Sequence, residues 1–424
     1  MQIWKAIQII SIIASTAMII IVRSPRNLTV ISTGNVKYSE NYFDFKRDSF
    51  CNILPGCLRF GYPVVAGITQ DLLKSLILFT NPTIKKDYYE VKDKGPRDIR
   101  PYTFFWHEYH EAESKLITDK VNNYDYLERS TNLIVDIILK LSMLAILFGS
   151  LVAVFGYSAI STLLTWLIAL TLSGWWKVEW VWFKSPLQNH DFPSYMAIGL
   201  IWLLLTNNKI LRYPRFFTLI IFCQSFAEFL GFVIVLSTAI YFGCLESSFK
   251  NRVRTFGTIL ILGGLVSATF GLITIGSIQL AYDSLVFGNG GDTIMSLARE
   301  YGTKNLGAGW TPSGTLAAIW KVSELPFSIA ILSAAIASFL VKPANFTLVS
   351  KLCLASGATA FSTLLLFIPA RHISGLMWEF GRQATPLLIA STIFVFCGTY
   401  LAAHKVKMNR IKIFQVFSGE KPPT

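Results

Sequence analysis

The chain has 424 residues, of which 53% are hydrophobic, 14% aromatic and only 15% charged. An average soluble domain is roughly 25% charged, and a disordered chain is poorer still in aromatics, so neither class fits. Lys and Arg number 38 against 25 Asp and Glu, a formal net charge of +13. No basic stripe carries interleaved aromatics, so the excess points to anionic lipid and membrane topology and not to nucleic acid.

Residues 1–22 open with MQIWK and run on as an apolar segment. The run continues past the small residues Ala14 to Ala17 through MIIIV, which predicts an uncleaved anchor helix in place of a cleaved signal. Residues 23–131 are the only large polar region and read as an extramembrane loop or small domain. Within it, residues 64–79 are amphipathic. Asp71 and Lys74 make that stretch too charged to span, so it is expected at the membrane surface or packed into the bundle. The sequence WHEYHEAE puts His107, His110 and Glu111 on one helical face, a set of N and O donors that suits a metal. The spacing is not that of H-E-x-x-H, and a solvated helix face is the alternative. Cys51 and Cys57 share the segment CNILPGC; they pair if this loop faces an oxidising compartment and are free thiols otherwise.

Residues 132–404 predict an all-α, polytopic transmembrane bundle, followed by a basic tail over 405–424. Apolar runs near 132–156, 158–174, 193–206, 216–243, 255–284, 314–341, 347–369 and 385–403 give about eight spans, nine with the anchor helix. The 193–206 run is short for a bilayer. Gly257, Gly263, Gly264, Gly271 and Gly276 fall along one long helix, where small residues allow close helix contact in lipid. Cys223, Cys244, Cys353 and Cys397 lie in or beside spans and are expected to pack as small hydrophobes. Lys405, Lys407, Arg410 and Lys412 favour a cytoplasmic C-terminus, in a plasma or inner membrane. With nine spans, Lys250, Arg252 and Arg254 share that side, while Lys209, Arg212 and Arg215 oppose them.

Ionisable groups inside spans are costly, about 2.5–3.5 kcal/mol each on insertion scales, so each needs a reason. Glu228 sits near the middle of the 216–243 run, with Gln224 one turn earlier on the same face. It reads either as a proton-carrying or substrate-binding carboxylate or as a neutral Glu hydrogen-bonded across helices. Lys321 and Glu324 share a helix face just before Pro326, where a kink is expected. Asp136 and Lys140 stand four apart near the start of another span, and Lys140 can snorkel back to the interface. The Trp-rich segment 174–193 reads as an aromatic belt. Asn189 and His190 close it beside the next span, and His190 is a candidate acid or base.

Two stretches carry a family likeness. They are LFGSLVAVFGYSAISTLL, continuing through an aromatic connection to FKSPLQNHDFPSYMAIGLIWLLL, and the later IWKVSELPFSIAIL with Trp320 and Glu324. Residues 137–206 thereby resemble the membrane domain of vitamin K-dependent carboxylase-like (HTTM) proteins, and more distantly DoxX-type proteins. The Asn189-His190 step before a Leu-rich span carries most of the match. The region 23–131 and the helices after 347 depart from that pattern, no large soluble domain follows the bundle, and the carboxylases' lysine base has no counterpart. The resemblance implies a helical bundle with a polar pocket and does not imply carboxylation.

The expectation is therefore a multi-pass membrane protein whose buried polar pocket, built from Glu228, Gln224, Lys321, Glu324, Asn189 and His190, binds a small or lipid-like ligand. A transporter or channel, or a non-catalytic subunit of a larger membrane complex, are the alternatives. Membrane lipids and other membrane proteins are the expected partners; no cofactor is indicated.

Overall fold

The computed structural model describes residues 2–23, 61–82, 85, 123–173, 191–206, 213–226, 229–275, 312–340, 346–367 and 377–418. Among the described residues every regular element is an α-helix. They are α1 (Gln2–Arg23), α2 (Gly61–Thr80), α3 (Asn123–Phe155), α4 (Ala159–Ser173), α5 (Asp191–Thr206), α6 (Tyr213–Phe226), α7 (Phe229–Leu245), α8 (Phe249–Ile275), α9 (Pro312–Leu340), α10 (Phe346–Phe367) and α11 (Met377–Ser418).

Among the described residues five helices are long and apolar enough to cross a membrane: Gln2–Ile21, Ile137–Phe155, Phe249–Gly271, Phe346–Leu365 and Pro386–Val406. Shorter apolar helices cover Ala159–Leu172, Pro193–Thr206, Leu230–Leu245 and Ser323–Ser338. The bundle also shows large apolar side chains outward, among them Ile10 and Ile13 on α1, Ile261 and Leu265 on α8, and Leu332 on α9. Outward apolar faces over whole helices suit a lipid solvent. These features are those of an integral membrane protein; of the eight or nine spans expected from hydropathy, five helices of spanning length are found among the described residues, beside four shorter apolar ones.

Local chemistry explains the turns. At the end of α3, Gly156 takes φ 63°, a conformation that glycine adopts without penalty, and its N–H returns to the Val152 carbonyl at 2.8 Å. Ser158 then caps α4. Its hydroxyl accepts from the Ser161 N–H and the Ser161 hydroxyl accepts from the Ser158 N–H, each at 3.3 Å. This is a reciprocal capping box with serine in the acceptor role usually taken by Glu. Ser248 caps α8 in the same way, accepting from the Asn251 N–H at 3.2 Å.

That cap moves a boundary. Lys250, Arg252 and Arg254, expected in a loop, form the first turns of α8. Glu246 ties the preceding turn down: its carbonyl accepts from Arg252 Nε at 2.7 Å and its carboxylate from Thr255 Oγ1 at 3.2 Å.

The 216–243 run is a second correction. It is two helices, α6 and α7, and not one span. Phe216 and Val235 would lie about 28 Å apart on one straight helix. Yet both side chains come within 3.1 Å of the point where a Cβ on Gly263 would stand. Farther along α8, Gln224 of α6 and Gly231 of α7 both meet Ser267. So α6 runs parallel to α8, α7 runs back antiparallel, and the two form a closed hairpin. At ~1.5 Å per residue, α6 is about 21 Å long and α7 about 25 Å, both short of a ~30 Å hydrocarbon core.

The core joins α3 to α5, α7 to α8 and α10, and α11 to α9 and α10. Gly199 shows how close α3 and α5 lie: a Cβ there would be 2.8 Å from the Leu147 Cα. The amphipathic stretch forms α2, which packs on α3 through Leu73 against Val135 and Leu139. Its opposite stripe, Val65, Ile68, Leu72, Leu76 and Phe79, is exposed, Phe79 by 85%. Helix α9 runs unbroken through Pro326, and α11 carries the basic tail onward as helix to Ser418.

Candidate functional site

Of the polar residues expected to build the pocket, Gln224 has the best-defined partners. It is buried, and its side chain closes the α6–α7 hairpin onto α8. Ser267 Oγ donates to Gln224 Oε1 at 2.8 Å, and Gln224 Nε2 donates to the Ser267 carbonyl at 3.0 Å. Gly231 leaves the room for this clasp, because a Cβ there would be 2.4 Å from Gln224 Oε1. Gln224 thus has both amide ends satisfied by α8.

Glu228, Asn189, His190, His107, His110, Glu111, Cys51 and Cys57 lie outside the described residues. Lys321 lies on α9, and its side chain is likewise outside them. Glu324 is exposed on α9, and its backbone carbonyl accepts from Ser328 Oγ at 2.9 Å. Helix α9 packs chiefly on α11 and α4, whereas α6 packs on α7 and α8, so Gln224 and Glu324 have different neighbourhoods. Among the described residues no group of three His, Cys, Asp or Glu side chains is placed to hold a metal. Lys140 does not snorkel to the surface: it is 2% exposed, inside the bundle. Of the cysteines, Cys223 and Cys397 are buried, Cys353 is half-buried and Cys244 is exposed, all as free thiols.

Two sets of polar groups that hydropathy does not reveal define the interior. The first joins α1 to α4. Gln8 is fully buried; its Nε2 donates to Thr165 Oγ1 at 3.0 Å, and its Oε1 accepts from Ser161 Oγ at 3.1 Å and from Thr162 Oγ1. One turn on, Trp166 Nε1 donates to Ser11 Oγ at 3.1 Å. The Gln8 amide is satisfied at both ends, as a polar group facing hydrocarbon requires.

The second set differs. Helix α10 packs against α5, α7 and α11, and α5 also touches α7 and α11. These four helices bury Trp202 on α5, Ser237, Thr238 and Tyr241 on α7, Ser356 on α10, and Thr392, Tyr400 and His404 on α11. Among the described residues, the polar side-chain atoms Trp202 Nε1, Tyr241 OH, Tyr400 OH and His404 Nε2 find no hydrogen-bond partner, nor do the four hydroxyls of Ser237, Thr238, Ser356 and Thr392. Ser and Thr often turn their hydroxyls back to a carbonyl of their own helix, as Thr359 does to Ala355 at 2.9 Å. An indole or phenol reaches too far out for that. The α11 groups fall at i, i+4 steps and share one face, along which Phe396 stacks on Tyr400 and Tyr400 meets the His404 ring edge-on at 4.8 Å. On α7, Tyr241 stands four residues from Ser237 and three from Thr238, a helical neighbour of each. Helices α10 and α11 meet where Cys353 Sγ lies 3.9 Å from the Phe394 carbonyl and Gly357 faces the Phe394 ring.

A buried donor or acceptor left without a partner costs ~1–3 kcal/mol. Eight such atoms stand on these four helices. Indole N–H and phenol O–H groups can donate to the oxygen of a carbonyl, ether or hydroxyl group, and among the described residues these four helices bury no carboxylate. Sequence reading passed over these residues because single hydroxyls and aromatics inside spans carry no pattern, and His404 reads as the edge of the basic tail. Comparison with protein-family models, with curated proteins and with solved structures finds no match to this chain.

Proposed function

We propose that this integral membrane protein binds a small or lipid-like molecule bearing oxygen acceptors, held inside the unit formed by α5, α7, α10 and α11. The observation that carries the reading is the set of buried, unpartnered polar atoms: Trp202 Nε1, Tyr241 OH, Tyr400 OH and His404 Nε2. The apolar walls between them, with Phe396, Ile393, Leu352 and Ile234 all buried, suit a ligand whose body is hydrocarbon. The five long helices carry the bundle across the bilayer, and the shorter apolar helices pack among them. Glu228 and His190 stand in this proposal as further polar groups of the same bundle.

Native mass spectrometry of the protein released from mild detergent tests the reading. The wild type is expected to carry a non-covalent species of constant mass. Tyr241→Phe and Tyr400→Phe each remove one hydrogen bond of ~1 kcal/mol, and so should each lower its occupancy about fivefold. A bare polypeptide mass for the wild type, or equal occupancy in all three proteins, would overturn the proposal.

A further inference from the structure

The α6–α7 hairpin changes the sidedness of the chain. A single span over 216–243 would put Arg215 and Lys250 on opposite faces of the membrane. In the hairpin, α6 and α8 run parallel, so the start of α6 and the start of α8 lie on the same side. Arg215, Lys250, Arg252 and Arg254 are all exposed there. Phe249, 81% exposed, and Val253 stand between the α8 cations as outward apolar groups. Glu246 is the one described acid in this stretch, and Thr255 Oγ1 holds its carboxylate. Cations alternating with outward apolar side chains at the end of a membrane helix match the headgroup layer, where stems and rings sink and charges meet phosphate.

We propose that this rim is a binding surface for anionic phospholipid headgroups, and that it faces the anionic, cytoplasmic leaflet. The partner follows from charge complementarity and from the place of the rim at the mouth of a hairpin whose helices are too short to cross. The proposal is independent of any ligand in the interior.

Two measurements on the full chain test it. Tyr213→Cys and Ser247→Cys, in a background lacking the native cysteines, are labelled with a membrane-impermeant maleimide in right-side-out and inside-out vesicles. Both are expected to react from the cytoplasmic side; reaction from opposite sides would overturn the hairpin, and reaction of both from the outside would overturn the leaflet. Lipid binding is then read in nanodiscs of phosphatidylcholine with and without phosphatidylglycerol, as the retention of phosphatidylglycerol on the released protein. Lys250→Gln and Arg254→Gln should each lower that retention about fivefold. Arg252 stays in place because its Nε holds the Glu246 carbonyl. Unchanged retention in the double variant, with an unchanged melting temperature showing that it is folded, would refute the lipid site.

Discussion

At the scale of the residue, the smallest side chains set the closest contacts. Gly199 lies on α5 where a Cβ would stand 2.8 Å from the Leu147 Cα and 3.1 Å from Ser150 Oγ. Both neighbours are held, Leu147 as backbone and Ser150 by its bond to the Leu147 carbonyl at 2.7 Å. A methyl group there must push α3 and α5 apart. Gly199→Ala is therefore expected to lower stability by ~1–3 kcal/mol, read as a lower melting temperature in detergent, with Gly199→Leu worse. Gly149, whose Cβ would meet nothing within 4 Å, is the control and should tolerate Ala. Sequence alone shows glycines in spans but not which of them touches a backbone, because that depends on the facing helix.

At the scale of the element, one amide gathers most of the polar contact between α1 and α4, beside the Trp166–Ser11 bond. Gln8 occupies a buried place that a leucine would fill sterically, but Ser161, Thr162 and Thr165 all bond to it. Gln8→Leu strips a partner from each of them. Those hydroxyls also bond carbonyls of their own helix, at 2.8 Å for Thr165 to Ser161 and 3.0 Å for Thr162 to Ser158, so the expected loss is modest, ~1–2 kcal/mol. Protease protection of the N-terminal segment in detergent should fall with it; equal protection would show that packing and the Trp166–Ser11 bond suffice to hold α1. Helices were the most legible feature of the sequence, because long apolar runs leave few other choices. The opposed directions of α6 and α7 were not legible: both helices are apolar, and hydropathy averaged over a window cannot see a chain that turns back. The start of α8 was hidden for the opposite reason. Three cations in KNRVR look like a loop, whereas Ser248 supplies the cap that lets them be helical.

At the scale of the whole molecule, the apolar exterior and the mostly apolar core differ little in hydropathy, so the polar groups carry the information about the interior. They divide by helix. The α1–α4 contact satisfies the Gln8 amide, and α6–α8 satisfies Gln224; among the described residues α5, α7, α10 and α11 carry eight buried polar atoms without a partner, against Ser15 Oγ on α1. Charged residues were the part of the candidate site the sequence could offer, since a charge in a span is conspicuous. Hydroxyls and rings were not, since the same residues also fill ordinary cores. Thermal unfolding of the purified protein, comparing wild type with Tyr241→Phe/Tyr400→Phe, bears most directly on whether this interior holds bound polar material. If a guest or internal water meets those two phenols, the double variant should melt at a lower temperature, by the equivalent of ~1–3 kcal/mol. If they stand bare in hydrocarbon, removing them relieves a desolvation penalty, and a melting temperature equal to or above that of the wild type would contradict the account.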